Sequence, residues 1–211
     1  MRPLNELIDT SDPALPLIME WINASSVHCE VLPPSAAREA TLSELQVTTR
    51  STMGAIAYET GGLLIDHGWL RILGSGNAKL ERTLNEWNKE RSSGFLLVAD
   101  DVVGGFFAIN SGALGSDKGA LYYWAPDSFA WESLEIGYSD FLQWSLSSDL
   151  EQFYSELRWP TWQADLKEVH GDQCFSFYPF LWNEGTSVKT SSRKCIPISE
   201  HFALNLGASL K

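Results

Sequence analysis

The sequence predicts an α+β fold built on an antiparallel meander. Three observations predict it: apolar runs at 95–99, 105–109 and 120–124, helix-period segments on both sides of them, and 44% hydrophobic with 12% aromatic residues in a chain of 211. Short apolar or alternating runs split by turn formers, here Asp100-Asp101 and a glycine-rich stretch at 111–119, read as strands joined by hairpins. This length and apolar content predict one domain, 1–211, with a core rich in large rings, and they exclude disorder.

The elements follow in order. Asp12 before Pro13 reads as an N-cap and first turn, and Leu17, Ile18, Trp21 and Ile22 recur at helical spacing as far as about Asn23. A loop carrying Leu32-Pro33-Pro34 leads to a second helix from about Ala36, broken near Thr48-Thr49 and stopped at Thr60-Gly61-Gly62. Residues 63–65 and 69–73 are strand-like on either side of Asp66-His67-Gly68, and 80–89 reads as an amphipathic helix with Leu84 and Trp87 inward. After the meander, Ser139 is placed to cap a helix holding Phe141, Leu142 and Leu146, and Asp149 opens another that Pro160 ends. The tail is expected to form strands around 175–180 and 194–198.

Charge and cysteine usage narrow the function classes. With 27 acids against 15 bases the net charge is -12, a field that repels phosphate backbones and anionic lipid and steers encounters with basic proteins. No nucleic-acid partner is expected. The start Met1-Arg2-Pro3-Leu4-Asn5-Glu6 lacks the pattern of a secretory signal, and no apolar segment approaches the roughly 20 residues that span a bilayer. Cys29, Cys174 and Cys195 are widely spaced with no CxxC pair, which argues against a disulfide framework or zinc site and predicts a cytoplasmic protein.

Candidate chemistry is sparse. Asp66-His67 joins a carboxylate to an imidazole, as general-base work requires, but Asp-His-Gly between strands is also an ordinary turn. Gly74-Ser75-Gly76 lacks the third glycine and the Lys-Ser/Thr of a phosphate loop and reads as a connecting turn. Asp100, Asp101, Asp127 and Glu132 are oxygen ligands without the spacing of a known cation loop, and His28, His67, His170 and His201 are scattered. No cofactor or metal is expected. Most of the nine tryptophans belong in the core, and one or two exposed ones would mark a binding face.

Several strings together resemble a known superfamily. Leu32-Pro33 before a helix, Thr60-Gly61-Gly62 at its end, Asp100-Asp101-Val102-Val103-Gly104-Gly105 leading into a core strand, the stretch 119–127, and the helix start at 138–142 resemble the SUKH superfamily. Its members include bacterial toxin-immunity proteins and fungal cell-wall assembly regulators. Nearly the whole chain also resembles an uncharacterised bacterial domain-of-unknown-function family, through Gly68-Trp69-Leu70-Arg71, Ala125-Pro126-Asp127, Trp131-Glu132 and Leu157-Arg158-Trp159.

The resemblance implies a mainly antiparallel sheet with helices packed on one side. A SUKH-like core would span about 32–146, followed by a C-terminal extension, about 147–211. It also implies a non-catalytic, immunity-like module that binds a protein partner, here a basic one, without a cofactor. The implied binding surface lies at sheet-adjacent turns: Asp66, His67, Trp69 and Arg71; Asp100, Asp101, Gly104 and Gly105; Asp127 and Trp131. The competing reading is a small-ligand protein or metal-assisted enzyme using Asp66, His67, Asp100 and Asp127 in a cleft. A homodimer joined through exposed aromatics is the third.

Overall fold

The computed structural model describes residues 1–206. Its main feature is a seven-stranded sheet in which each strand pairs with the next in sequence: β1 (Cys29–Leu32), β2 (Gly62–Ile65), β3 (Leu70–Leu73), β4 (Phe95–Asp101), β5 (Phe106–Asn110), β6 (Leu121–Trp124) and β7 (Trp131–Ser133). All six pairings are antiparallel, so the meander read from 95–124 is the middle of a longer one. The two edge strands were not legible. In β1, expected as loop, only Leu32 is fully buried, and β7 has three residues, too few for alternation to register.

Before, between and after these strands come α1 (Leu4–Leu7), α2 (Leu15–Ala24), α3 (Arg38–Leu45), α4 (Thr52–Glu59), α5 (Leu84–Asn88), α6 (Tyr138–Ser145) and α7 (Asp149–Phe153). The first long helix begins at Leu15 with Pro16 in its first turn, later than Asp12-Pro13 suggested. Asp9 explains the delay, because its carboxylate accepts from the Ser11 and Asp12 N–H groups and holds that stretch as a turn. The expected break near Thr48-Thr49 separates α3 from α4: Gln46 ends α3 at φ 55°, and Ser51 Oγ caps α4 by accepting from Gly54 N at 3.0 Å. The helix expected over 80–89 shrinks to α5, since Thr83 is its cap and Arg82 before it is drawn into an ion pair. Ser139 is no cap; its hydroxyl meets Thr52 Oγ1 at 2.9 Å and ties α6 to α4.

Side chains of register partners share a sheet face. Arg71, Asp100, Phe106 and Trp124 line one face, and Ile72, Ala99, Phe107 and Tyr123 the other. The Phe107 face carries α6 and α7, with Phe107 packing on Phe141 at 4.9 Å and Tyr123 on Phe153 at 5.2 Å. The Phe106 face is covered by the end of the chain. A single turn of 3-10 helix (Ser155–Leu157) and α8 (Trp162–Leu166) lead to a hairpin of β8 (Gln173–Tyr178) and β9 (Ser192–Pro197), then to α9 (Ile198–Asn205), whose Phe202 lies 5.3 Å from Phe106.

The helices expected on one side are thus joined by α9 on the opposite face; α8 and α9 had no counterpart in the sequence reading. The chain crosses from one face to the other over the end of the sheet, where Tyr154, Trp159 and Trp162 surround Trp69. Most buried apolar residues from Ala14 to Leu206 form one contiguous cluster, and Leu7, Leu42 and Tyr58 form a second, smaller one. Among the described residues no helix is long and apolar enough to cross a membrane.

Candidate functional site

In an antiparallel meander alternate turns lie at the same end, so the turns β2–β3, β4–β5 and β6–β7 all open together. These are the three turns singled out in the sequence. The crossing extension divides that end into two concave regions, one against the β4–β5 and β6–β7 turns and one against the β2–β3 turn.

The first is an apolar groove of about 280 Å³. Val103 from the β4–β5 turn, Pro126 and Phe129 from the β6–β7 turn, Phe180 and Trp182 after β8, and Leu204 of α9 line it. Its aromatic wall is continuous: Phe180 and Trp182 stack at 4.2 Å with planes 8° apart, and Phe129 meets Trp182 edge-on at 4.2 Å. These rings remain in contact with solvent, with Phe129 and Phe180 each 41% exposed, Trp182 38%, and the neighbouring Leu204 67%. The floor is polar. His201 Nε2 sits 3.1 Å from Gly104 O and 3.0 Å from Asn205 Nδ2, and burial pushes its pKa down to about 4 although the Gly104 carbonyl favours the charged form.

Three exposed acids are near neighbours in sequence of the lining residues. Asp127 adjoins Pro126, Glu184 follows Trp182 by two residues, and Glu200 precedes Leu204 by one turn of α9. Lys194 and Arg193 are the register partners of the lining residues Ser176 and Phe177 across the hairpin.

Six of the residues assigned to the sequence-predicted surface lie in the interior instead. Trp69, Arg71, Asp100, Asp101, Gly104 and Gly105 are buried beneath the extension. Arg71 Nε donates to Asp100 Oδ1 at 2.7 Å, and its Nη2 lies 2.5 Å from the same oxygen but off the hydrogen-bond direction. Arg82 Nη1 reaches Asp100 Oδ2 at 2.5 Å, and Arg82 Nε reaches Asp172 at 2.7 Å, so four alternating charges join β3 and β4 to the segment before β8.

Asp101 points to the other face. Its Oδ1 accepts from Val103 N and Gly105 N at 3.0 and 2.8 Å, and its Oδ2 accepts from the Tyr123 and Tyr154 hydroxyls at 2.8 and 3.0 Å. Burial raises the Asp101 pKa, while the Gly105 N–H and the two tyrosines pull it down. Gly105 is needed because a Cβ there would come within 2.3 Å of the Tyr123 hydroxyl. Asp127 is exposed at the groove, and Trp131 is half-buried in β7 against Phe95 at 5.5 Å.

The second region is a polar cleft of about 780 Å³. Asp66 and His67 both line it, at φ 50° and 62°; the left-handed backbone brings to one cleft two neighbours that an extended chain would point apart. His67 stacks on His28 with centroids 4.7 Å apart and planes 9° apart. Asp66 is ion-paired to Arg158, whose guanidinium lies over Trp162 at 4.4 Å and Trp69 at 5.1 Å. Asp66, Asp100 and Asp127 therefore lie in three separate places, and among the described residues no three metal-ligating side chains gather.

Sequence reasoning missed Phe129, Phe180 and Leu204 at the groove, and Arg158 in the cleft had no role assigned. The signal available for the groove was Tyr178-Pro179-Phe180-Leu181-Trp182, a ring at every second position in a segment that proline keeps from continuing a central strand.

A family model described as "Protein of unknown function DUF2625" matches residues 4–201. The chain is 47% identical over 204 residues to "Putative uncharacterized protein YbfG" of Escherichia coli, covering 95% of this chain and 94% of the relative. It is 42% identical over 223 residues to an "Uncharacterized protein" of Haemophilus influenzae, covering 100% and 96%.

Proposed function

The chain belongs to the DUF2625 family, whose description names no activity, and we propose from the groove that it is a non-catalytic module that seats an apolar, basic-flanked segment of a partner protein. The observation that carries this reading is the contiguous exposed wall of Phe129, Phe180 and Trp182, with exposed acids adjacent in sequence to its lining. Large rings left in water at a concave site are the usual anchors of protein interfaces. Asp127, Glu184 and Glu200 against Lys194 and Arg193 select for a basic occupant, and the net charge of -12 favours its approach. The same charges disfavour a second copy of this chain, since each copy would bring its own acids.

The resemblance to SUKH immunity proteins supports the same class of action. The module works as a monomer in a reducing, cytoplasmic setting, consistent with three free cysteines, of which Cys29 is pushed up to about 12 by burial and so is a poor nucleophile.

The test uses two amphipathic peptides of one apolar pattern, one bearing lysines and the other glutamates. The lysine peptide is expected to bind, to weaken as salt rises, and to lose about 2 kcal/mol or more in the Phe180→Ala/Trp182→Ala protein. Equal binding of both peptides, or undiminished binding by that variant, would overturn the proposal. A dimer dispersed by Trp182→Ala would assign the groove to a second copy instead.

A further inference from the structure

The polar cleft is separate from the groove and has chemistry of its own. In a chain of charge -12 its lining is balanced: Arg158 and Lys189 stand against two acids, and the adjoining concavity, which shares His28 and His67, adds Lys167 and Glu30. The acids facing it are Asp66, already neutralised by Arg158, and Glu151.

Arg158 is held ready. Two indole faces fix the plane of its guanidinium, Asp66 takes Nη2, and Nε is left buried without a partner. A guanidinium whose orientation is already fixed loses little freedom when it engages an oxyanion.

The backbone gives an independent reason. Asp66 and His67 occupy the left-handed region at consecutive turn positions, where Asn-Gly would be far less strained. The imidazole of His67 is exposed and stacked on His28 and lines the cleft, so the strain is tolerated at the residue that faces the open space. Exposed Ser26, Ser148 and Ser155 add hydroxyls to the lining.

We propose that this cleft binds the phosphate of a small phosphomonoester, with Arg158, Lys189 and the His28–His67 pair on the phosphate and the remaining volume holding the organic part. A carboxylate is a poorer match, because Asp66 already supplies one and the donors left over surround a space where a tetrahedral, triply charge-sharing group can accept from several directions. The cleft is far larger than inorganic phosphate alone requires, which is why an ester is the ligand class.

The experiment is calorimetric titration of the full chain at low ionic strength with inorganic phosphate, phenyl phosphate and benzoate. Expected are saturable binding of phenyl phosphate, weaker binding of inorganic phosphate, and benzoate weaker than phenyl phosphate by about tenfold or more. His67→Gly and Lys189→Ala are each expected to weaken phenyl phosphate by about tenfold. His67→Gly should do so with a thermal midpoint no lower than that of the parent, because glycine relieves the left-handed turn. No saturable binding of phenyl phosphate, benzoate binding as tightly, or unchanged affinity in both variants would overturn the proposal. Because the groove variant Phe180→Ala/Trp182→Ala leaves this cleft intact, the two proposals fail separately.

Discussion

At the scale of single residues, His201 links the groove to the stability of the fold. It is 6% exposed and packs against Gly104, where a Cβ would come within 2.2 Å of its Nε2 and where φ is +93°. Only glycine meets both demands. With a folded pKa of about 4 against an ordinary 6.5, His201 binds fewer protons folded than unfolded throughout that interval. Its contribution is therefore complete above pH 6.5 and is lost as pH falls towards 4, a change of up to about 3 kcal/mol. A series of thermal midpoints from pH 7 to 4 should fall less steeply for His201→Gln than for the parent; parallel curves would show that carboxylates alone govern acid unfolding. From sequence alone the buried Arg71, Asp100 and Asp101 read as surface residues, for a physical reason. Asp and Arg are nearly always exposed, and a sequence does not reveal which of them meet a partner in the interior.

Among elements, β4 decides most. Its pairing with β5 shifts register between Leu97 and Ala99, a bulge that aligns Asp100 with Phe106. Asp100 therefore lies on the face with Arg71 and Arg82, and Asp101 on the face with Tyr123 and Tyr154, so adjacent acids serve opposite sides of the sheet. Asp100→Asn leaves two guanidinium groups in the interior without their shared counter-charge, and is expected to cost about 3–5 kcal/mol in denaturant unfolding. Exchanging Arg71 and Asp100 together for apolar residues should recover part of that loss; if the single substitution is harmless, the network is not holding β3 and β4 to the segment before β8. Asp100-Asp101 reads from sequence as a dividing turn because acids are rare in central strands, and nothing local distinguishes that case from a bulged strand end.

For the whole molecule, the extension is the second layer on the sheet. Phe202 covers Phe106, Tyr154 binds Asp101, and Trp159 and Trp162 enclose Trp69. A chain ending at residue 146 is expected to lose its near-ultraviolet circular dichroism and cooperative melting, because an apolar face and the Arg71–Asp100 pair would both meet water; a cooperative melt of that fragment would make the extension an appendage. The central strands β2 to β6 as an antiparallel meander, the helices flanking them and the three turns were determined by the sequence itself, since apolar period and turn chemistry are properties of neighbours along the chain. Which acids are buried, that Asp66 and Asp127 lie in different concavities, and that Phe129, Phe180 and Trp182 form one wall were decided only by tertiary structure. Those contacts join residues tens of positions apart across two sheet faces, and no local period encodes a partner at such a distance.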